Sequence, residues 1–321
     1  MTLSIWAVSD GRAGIQNQVL GLAEAVARLT PADIAIKPIA YRGGLGRWPQ
    51  ALNLAPRRAL TEPLKPPWPE VWIAAGRATL PLSARMRRWS GGRSLVVQVQ
   101  APRWPLRLFD LVVAPEHDAV AGPNVVSIAG SPHRVTPERL AEAATAFGPQ
   151  IDRLAQPRVV ALIGGRSKAF DLPPEHAARL AAQVADAVRA SNGTLLATFS
   201  RRTPEPARAA MTKAWADLPG WIWDGQGANP YFAFLAAADA ILVTEDSTNM
   251  AVEAAATGTP VHVLPLPGGS TKFARLHADL RARGATRPFT GDLTPWTYEP
   301  LRETELAARA VVGALQGRGQ L

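Results

Sequence analysis

A repeated unit limits the fold of this chain more than any other feature. A short apolar run is followed by a polar turn, usually with glycine, and then by a helix-forming stretch. Leu3–Ser9 reads as a buried strand, the segment DGRAG at 10–14 as a tight turn, and Ile15–Leu29 as an amphipathic helix. Its apolar face carries Val19, Leu20, Leu22, Ala23, Val26 and Leu29. Further strands are expected at Ile34–Ile39, Val71–Ala75, Ser94–Val99, Leu111–Ala114 and Val125–Ile128, with the segment Gly76–Thr79 after the second of these followed by a helix through Arg88. Phe147–Pro157 reads as a linker, after which the pattern restarts. Strands are expected at Val159–Ile163, Leu195–Phe199, Trp221–Trp223, Ala240–Thr244 and Val261–Leu264. Helices are expected at Pro174–Ala190, from Thr203 to about Trp215, and at Asn229–Ala237, Met250–Ala256, Arg275–Arg283 and Glu303–Leu315. Strands alternating with helices point to parallel, doubly wound α/β sheets. The expected architecture is two Rossmann-like domains facing across a cleft. An N-terminal domain is expected at 1–148 and a C-terminal domain at 157–300. The helix in 301–321 would pack back on the first domain.

Composition narrows the chemistry. The chain has 321 residues, 47% of them hydrophobic and 19% charged, enough for two ordinary globular domains. It has no cysteine, which excludes disulfides, thiol catalysis and cysteine-ligated metals. Its five histidines, His117, His133, His176, His262 and His277, are scattered without an HExxH-like pair, so no metal site is expected. The formal charge is +9, carried mostly by arginine. Arginine suits phosphate through its planar fork of donors. An anionic small substrate or an anionic membrane surface fits better than nucleic acid, because no Lys/Arg block or RNA-binding signature appears. No secretory leader or apolar run of about 20 residues is visible. The expected location is cytoplasmic, at most peripheral to the inner membrane. Tyr41–Pro69 breaks the strand–helix rhythm and is rich in Pro, Arg, Gly and Trp. It reads as a long insertion, or as a basic aromatic surface for a membrane or partner.

In open α/β sheets ligands bind beyond the carboxyl ends of the strands, so the residues just after each strand carry the functional information. In the second half these include Gly164, Gly165, Arg166 and Lys168, then Ser200, Arg201 and Thr203, then Asn229, then Glu245, Asp246, Ser247 and Asn249. Glycine lets a ligand approach the backbone, and Arg166, Lys168 and Arg201 offer charge to a pyrophosphate. Ser200, Thr203, Ser247 and Asn249 offer hydrogen bonds to it. The helix after Glu245 opens with unpaired N–H groups and a positive dipole end, which suits phosphate. Glu253 lies farther along that helix, where a carboxylate can accept from sugar hydroxyls. The simpler reading of this segment is a helix capped by Asp246 or Ser247. In the first half Gly11, Arg12, Gly14 and Arg77 form the acceptor-side loops, and Asp10, Glu116 and His117 are the candidate bases. Asp10 also fits as a plain turn residue, and His117 as a structural histidine. GGRSK is not a P-loop, neither glycine turn matches GxGxxG, and no GxSxG elbow is present.

The segments SDGRAGIQNQVLGLAEA, VQVQAPR, DLVVAPEHD, ALIGGRSKAF, TFSRRTP and VTEDSTNMAVEAAATGTPVHVLPL together resemble the Elm-type mitochondrial fission factor family, over nearly the whole chain. The resemblance implies a glycosyltransferase-B-like architecture. In that superfamily the segment similar to Thr244–Gly258 binds the donor, with Asp246, Ser247 and Glu253 matching by position. Plant members are implicated in recruiting a dynamin-related protein to mitochondria, a role not expected of a chain that looks bacterial. Some members carry an epimerase label, and the missing GxGxxG and the lack of a YxxxK pair argue against it. Two functions are expected from this. One is a metal-independent glycosyltransferase with a nucleoside-diphosphate sugar as substrate and no separate cofactor, acting in envelope glycan or lipid-linked sugar synthesis. The other is a non-catalytic scaffold of the same fold that recruits a dynamin-like or membrane partner.

Overall fold

The structure is a computed structural model and describes residues 2–43 and 56–321. The chain divides into two compact units, residues 1–134 with 302–321, and residues 135–301.

The first unit is built on a six-stranded, fully parallel sheet. Its strands are β1 (Leu3–Ser9), β2 (Ala32–Pro38), β3 (Val71–Ala75), β4 (Leu95–Val99), β5 (Leu111–Pro115) and β6 (Val125–Ile128), in the spatial order β2-β1-β3-β4-β5-β6. Alternation along each strand sorts side chains between two cores. Leu3, Ile5, Ala7, Val71, Ile73 and Val97 meet helix α1 (Ala13–Leu29). Val8, Trp72, Ala74 and Val96 meet Leu82 and Met86 of helix α2 (Leu80–Trp89). The C-terminal helix α9 (Glu303–Gln316) belongs to this unit. Its Ala307, Ala308, Val311 and Leu315 share the α1 core, and its Glu303 carboxylate accepts from Ala129 N–H (2.7 Å).

The second unit opens with helix α3 (Pro137–Ile151), where Thr136 accepts from Arg139 N–H and Pro137 stands at the start, a standard opening. The sheet and its helices follow: β7 (Arg158–Ile163), α4 (Pro174–Ala190), β8 (Thr194–Phe199), α5 (Glu205–Ala214), β9 (Gly220–Ile222) and α6 (Tyr231–Ala237). Then come β10 (Ala240–Thr244), α7 (Thr248–Ala255), β11 (Val261–Leu264), α8 (Thr271–Ala282) and β12 (Thr286–Pro288). All six strands are parallel, in the order β12-β11-β10-β7-β8-β9. Helices α4 and α5 cover one face, and α3, α6, α7 and α8 the other.

Most strands fall where periodicity places them, within a residue or two. Helix α3 and strand β12 lie where no element was expected. The division between units falls at Arg134/Val135, ahead of Phe147–Pro157, because Phe147 packs against Trp221 (6.0 Å) and Arg139 lies over the Phe232 ring (5.4 Å). Helix α8 begins one turn before Arg275 because Ser270 caps it by accepting from Phe273 N–H. Of the Tyr41–Pro69 insertion, residues 44–55 lie outside the described residues.

Candidate functional site

Strand order reverses once in each sheet, between β1 and β3 in the first unit and between β7 and β10 in the second. At such a switch point the connections leave in opposite directions and open a crevice at the carboxyl ends of the strands.

In the second unit three turns converge there. They follow β7 (GGRSK), β8 (SRRT) and β10 (EDSTN), which are neighbours in the sheet. Gly164 N–H donates to Thr244 Oγ1 (2.7 Å), and Gly165 N–H to Asp246 Oδ2 (3.0 Å). Arg202 places Nη2 2.7 Å from the same oxygen, and the Asp246 side chain is wholly buried. Arg166 N–H donates to Arg202 O (3.0 Å), Ser200 N–H to Ile163 O (2.7 Å), and Thr203 Oγ1 to Ile163 O (3.1 Å). The glycines are required by space. A Cβ on Gly164 would lie 2.1 Å from Asp246 Oδ1, and one on Gly165 2.4 Å from Arg202 O. The loop after β11 closes against the same turn, with Gly269 N–H donating to Ala169 O (2.7 Å) and Asp171 N–H to Pro267 O (2.9 Å).

Several candidate residues have different neighbours from those their sequence positions suggest. Asp246 does not cap α7; it reaches back across the sheet to Gly165 and Arg202. Ser247 stands at the N-cap position, yet no side chain caps this helix and no acid lies in its first turn. Ser247 therefore makes no side-chain cap hydrogen bond to the first N–H groups of α7. Arg202, not Arg201, binds the buried carboxylate; Arg201 and Lys168 are exposed. Arg166 points to Asp171 (3.1 Å). Ser200 Oγ accepts from Arg202 N–H (3.1 Å) and Asn229 Oδ1 from Tyr231 N–H (3.0 Å), so both shape their own loops. Asn249 is half-buried in the first turn of α7.

Glu253 is buried on α7 and accepts from the Tyr231 hydroxyl (2.5 Å). Loss of solvent raises its pKa to about 7, only partly offset by that hydrogen bond. Burial also drives the Tyr231 hydroxyl well above its ordinary pKa, with the Glu253 charge adding to the effect. Glu245 takes part through its backbone, accepting from His277 Nε2 (2.8 Å) at its carbonyl. Beside it lies a cavity of about 160 Å³ bounded by Glu245, Val263, His277, Arg281, Arg287 and Phe289. His277 is buried with no hydrogen-bond partner at Nδ1. Sequence reasoning missed Tyr231, His277 and the role of Arg202. An aromatic hydroxyl 22 residues upstream of Glu253 and a histidine on α8 carry no local signature.

The first switch point is more open. Asp10 Oδ2 pairs with Arg12 (Nη2, 2.7 Å), and Asp10 Oδ1 accepts from Arg12 N–H (3.2 Å). Gly76 follows β3 at φ +87°, a conformation that favours glycine, and its nearest neighbours would include Ile15 and Asp10. Gly11 and Gly14 flank Arg12 at the start of α1, and Arg77 opens a short 3₁₀ turn before α2. Exposed Glu116 and buried His117 share a 3₁₀ turn after β5. Strands β3 and β4 separate β5 from β1, so these two residues stand some 14 Å along the sheet from Asp10 at ordinary strand spacing. The structure therefore does not gather the three candidate bases into one cluster. Among the described residues, no three His, Asp or Glu side chains group as metal ligands do, and no helix is long and apolar enough to cross a membrane.

Comparison with known proteins fits this architecture. The fold matches S. aureus MnaA, solved with UDP, at a TM-score of 0.55 and 12% identity over 100% of this chain and 98% of that one. It also matches the UDP-GlcNAc 2-epimerase from Methanocaldococcus jannaschii, at 0.53 and 13% over 97% and 92%. Each unit is a parallel α/β, Rossmann-like domain, and the likeness to these solved structures is one of fold. The family model described as "Mitochondrial fission ELM1" matches residues 13–315, and the chain belongs to that family. The mitochondrial fission protein ELM1 of Arabidopsis thaliana is 34% identical across 78% of this chain, a match that spans 65% of the plant protein's length.

Proposed function

We propose that the second unit binds a nucleoside-diphosphate sugar and that the chain is a glycosyltransferase needing no metal. The uncapped N-terminus of α7, set among three converging turns, carries this reading. Its N–H groups and the Ser247 hydroxyl would receive the diphosphate, with the exposed Lys168 and Arg201 adding charge. Glu253 would accept from ribose through the oxygen that Tyr231 leaves unengaged. The cavity beside Glu245 and His277 would take the sugar, and Asp10, Glu116 and His117 are the candidates for the acceptor base. Charge on the departing diphosphate would be offset by backbone dipoles and guanidinium groups. The acceptor would be an envelope glycan or a lipid-linked sugar. UDP bound by the structural relative makes uracil the first base to test.

A thermal-shift and calorimetric series with UDP, GDP, CMP and their sugars tests this. UDP is expected to stabilise the protein, and Ser247→Ala and Glu253→Ala to weaken binding roughly tenfold each, about 1.4 kcal/mol. Release of UDP from a UDP-sugar should persist in EDTA. No stabilisation of the folded protein by any of these nucleotides would overturn the reading.

One observation favours a second reading. Asp246 already supplies an anion to Gly165 N–H and Arg202, groups a diphosphate could otherwise use. On that reading the chain keeps the shape of a donor site as a non-catalytic scaffold for a dynamin-like or membrane partner. Nucleotide binding without turnover, together with partner capture that survives Ser247→Ala and Glu253→Ala, would support it.

A further inference from the structure

The first unit carries a concentration of positive charge that the donor site does not use. Arg42, Arg57, Arg58 and Lys65 line one open cavity of about 320 Å³, together with Pro63, Leu64 and Pro66. None of the four makes an ion pair among the described residues. The sequence supplies little to neutralise them. Between Tyr41 and Pro69 the only acid is Glu62, which does not line the cavity.

Arg57 is held in place by aromatic rings. Its guanidinium carbon lies 5.6 Å from the Trp68 centroid and 5.4 Å from that of Trp89. These two rings stack at 6.0 Å, and Trp6 meets Trp68 edge-on at 5.9 Å. Trp6 in turn carries Lys37, at 4.8 Å. Indole faces attract cations, so this stack fixes Arg57 without neutralising it. Arg42 is tethered differently, with Nη2 donating to Thr61 O (3.3 Å). Like charges gathered at one cavity repel, and an anion relieves that repulsion. A pre-positioned guanidinium also loses less freedom when it binds. Four cationic side chains beside proline and leucine at one cavity suit a compact anion with several oxygens.

We infer that this cavity is a phosphate-binding site, distinct from the switch point of the second unit. The phosphate group is either the headgroup of an anionic phospholipid or part of a small soluble phosphorylated compound. Both present the same oxygens to the arginine fork. The inference does not depend on nucleotide binding by the second unit.

The test uses the full chain and two probes. Inorganic pyrophosphate is titrated calorimetrically in a Lys168→Gln, Arg201→Gln, Ser247→Ala background, so that the diphosphate site proposed for the second unit does not contribute, and vesicles of phosphatidylcholine with and without phosphatidic acid are used for co-sedimentation. The site variant is Arg57→Gln with Arg58→Gln. The control is Arg153→Gln with Arg309→Gln, which removes the same charge from exposed positions outside the cavity. Because Arg57 packs on Trp68 and Trp89, Arg58→Gln with Lys65→Gln serves as a second site variant that spares the stack, and melting curves verify that each is folded. Binding of either probe is expected to fall roughly tenfold or more in both site variants, the loss of about one charge-assisted contact, and to stay near wild type in the control. Binding should also weaken with added salt. Pyrophosphate binding assigns a soluble phosphate compound; binding to phosphatidic acid vesicles alone assigns a lipid headgroup. The inference fails if neither probe binds the wild type, if the site variants bind as the wild type does, or if the control loses as much as they do.

Discussion

The two switch points of this chain start from the same pattern, strands followed by polar turns and helices, with an acid just after β1 in one and just after β10 in the other, yet they are held together in opposite ways. In the first unit Asp10 pairs with Arg12, two residues on, in a contact largely open to solvent. In the second, Asp246 reaches 81 residues back to Gly165 N–H and across to Arg202, and its side chain is wholly buried. The local pair tethers a single loop. The long-range carboxylate joins three turns into one structure, because a buried anion must find its partners wherever the fold supplies them. A turn held by its own residues can adjust, whereas one held from across the sheet is fixed before any ligand arrives.

The strongest way to break this contrast is Gly164→Ala. Its Cβ would fall 2.1 Å from Asp246 Oδ1, so the turn must move, and a loss of about 3 kcal/mol is expected in urea unfolding. Adding Asp246→Gly should make the double variant less unstable than the sum of the two, since both changes act on one contact. The matching change in the first unit, Gly76→Ala, meets no atom closer than 3.4 Å, and its cost should come only from φ +87°.

Acid titration comes next. Glu253 is buried with a pKa raised from 4.5 to about 7, so the folded state binds a proton that the unfolded chain has already released. Its contribution is complete below about 4.5, is lost as pH rises to about 7, and amounts to about 3 kcal/mol at most. In Glu253→Gln this fall should vanish, which melting temperatures from pH 4 to 8 would reveal against a wild-type baseline. His262 works in the other direction. Burial lowers its pKa to about 4, so acidification from 6.5 toward 4 should destabilise the fold in both proteins.

Smaller effects separate neighbouring residues. Arg202→Gln removes the partner of a buried carboxylate and should cost about 1–2 kcal/mol, moderated because Arg202 is itself 42% exposed. Arg201→Gln should leave stability unchanged. The smallest effect is expected for Asp10→Asn, within about 0.5 kcal/mol and fading with salt, because the pair it breaks is solvated. A large loss there would mean that the first switch point is held as rigidly as the second.

Much of the architecture could be read without coordinates. Runs such as Val71–Ala75 and Ala240–Thr244 are apolar on both faces, which only a strand covered on both sides tolerates, and their spacing leaves room for crossover helices. The positions of GGRSK, SRRT and EDSTN at strand ends marked the turns that the fold brings together. Helix α3 was harder to place, although Thr136 and Pro137 mark its start. Its place in the second unit rather than the first goes with the packing of Phe147 on Trp221, a contact across 74 positions.

By itself, then, the sequence determined the alternation of strands and helices, the polar turns at strand ends and the surplus of arginine, because each follows from local periodicity and composition. Only the tertiary structure decided that Arg202 rather than Arg201 meets Asp246, that Tyr231 binds Glu253, and that Arg57 rests on Trp68 and Trp89. Each of these pairings depends on strand order and burial. Adjacent residues in a turn point in different directions, and the partner that desolvation requires is chosen by distance in space, which local sequence does not encode.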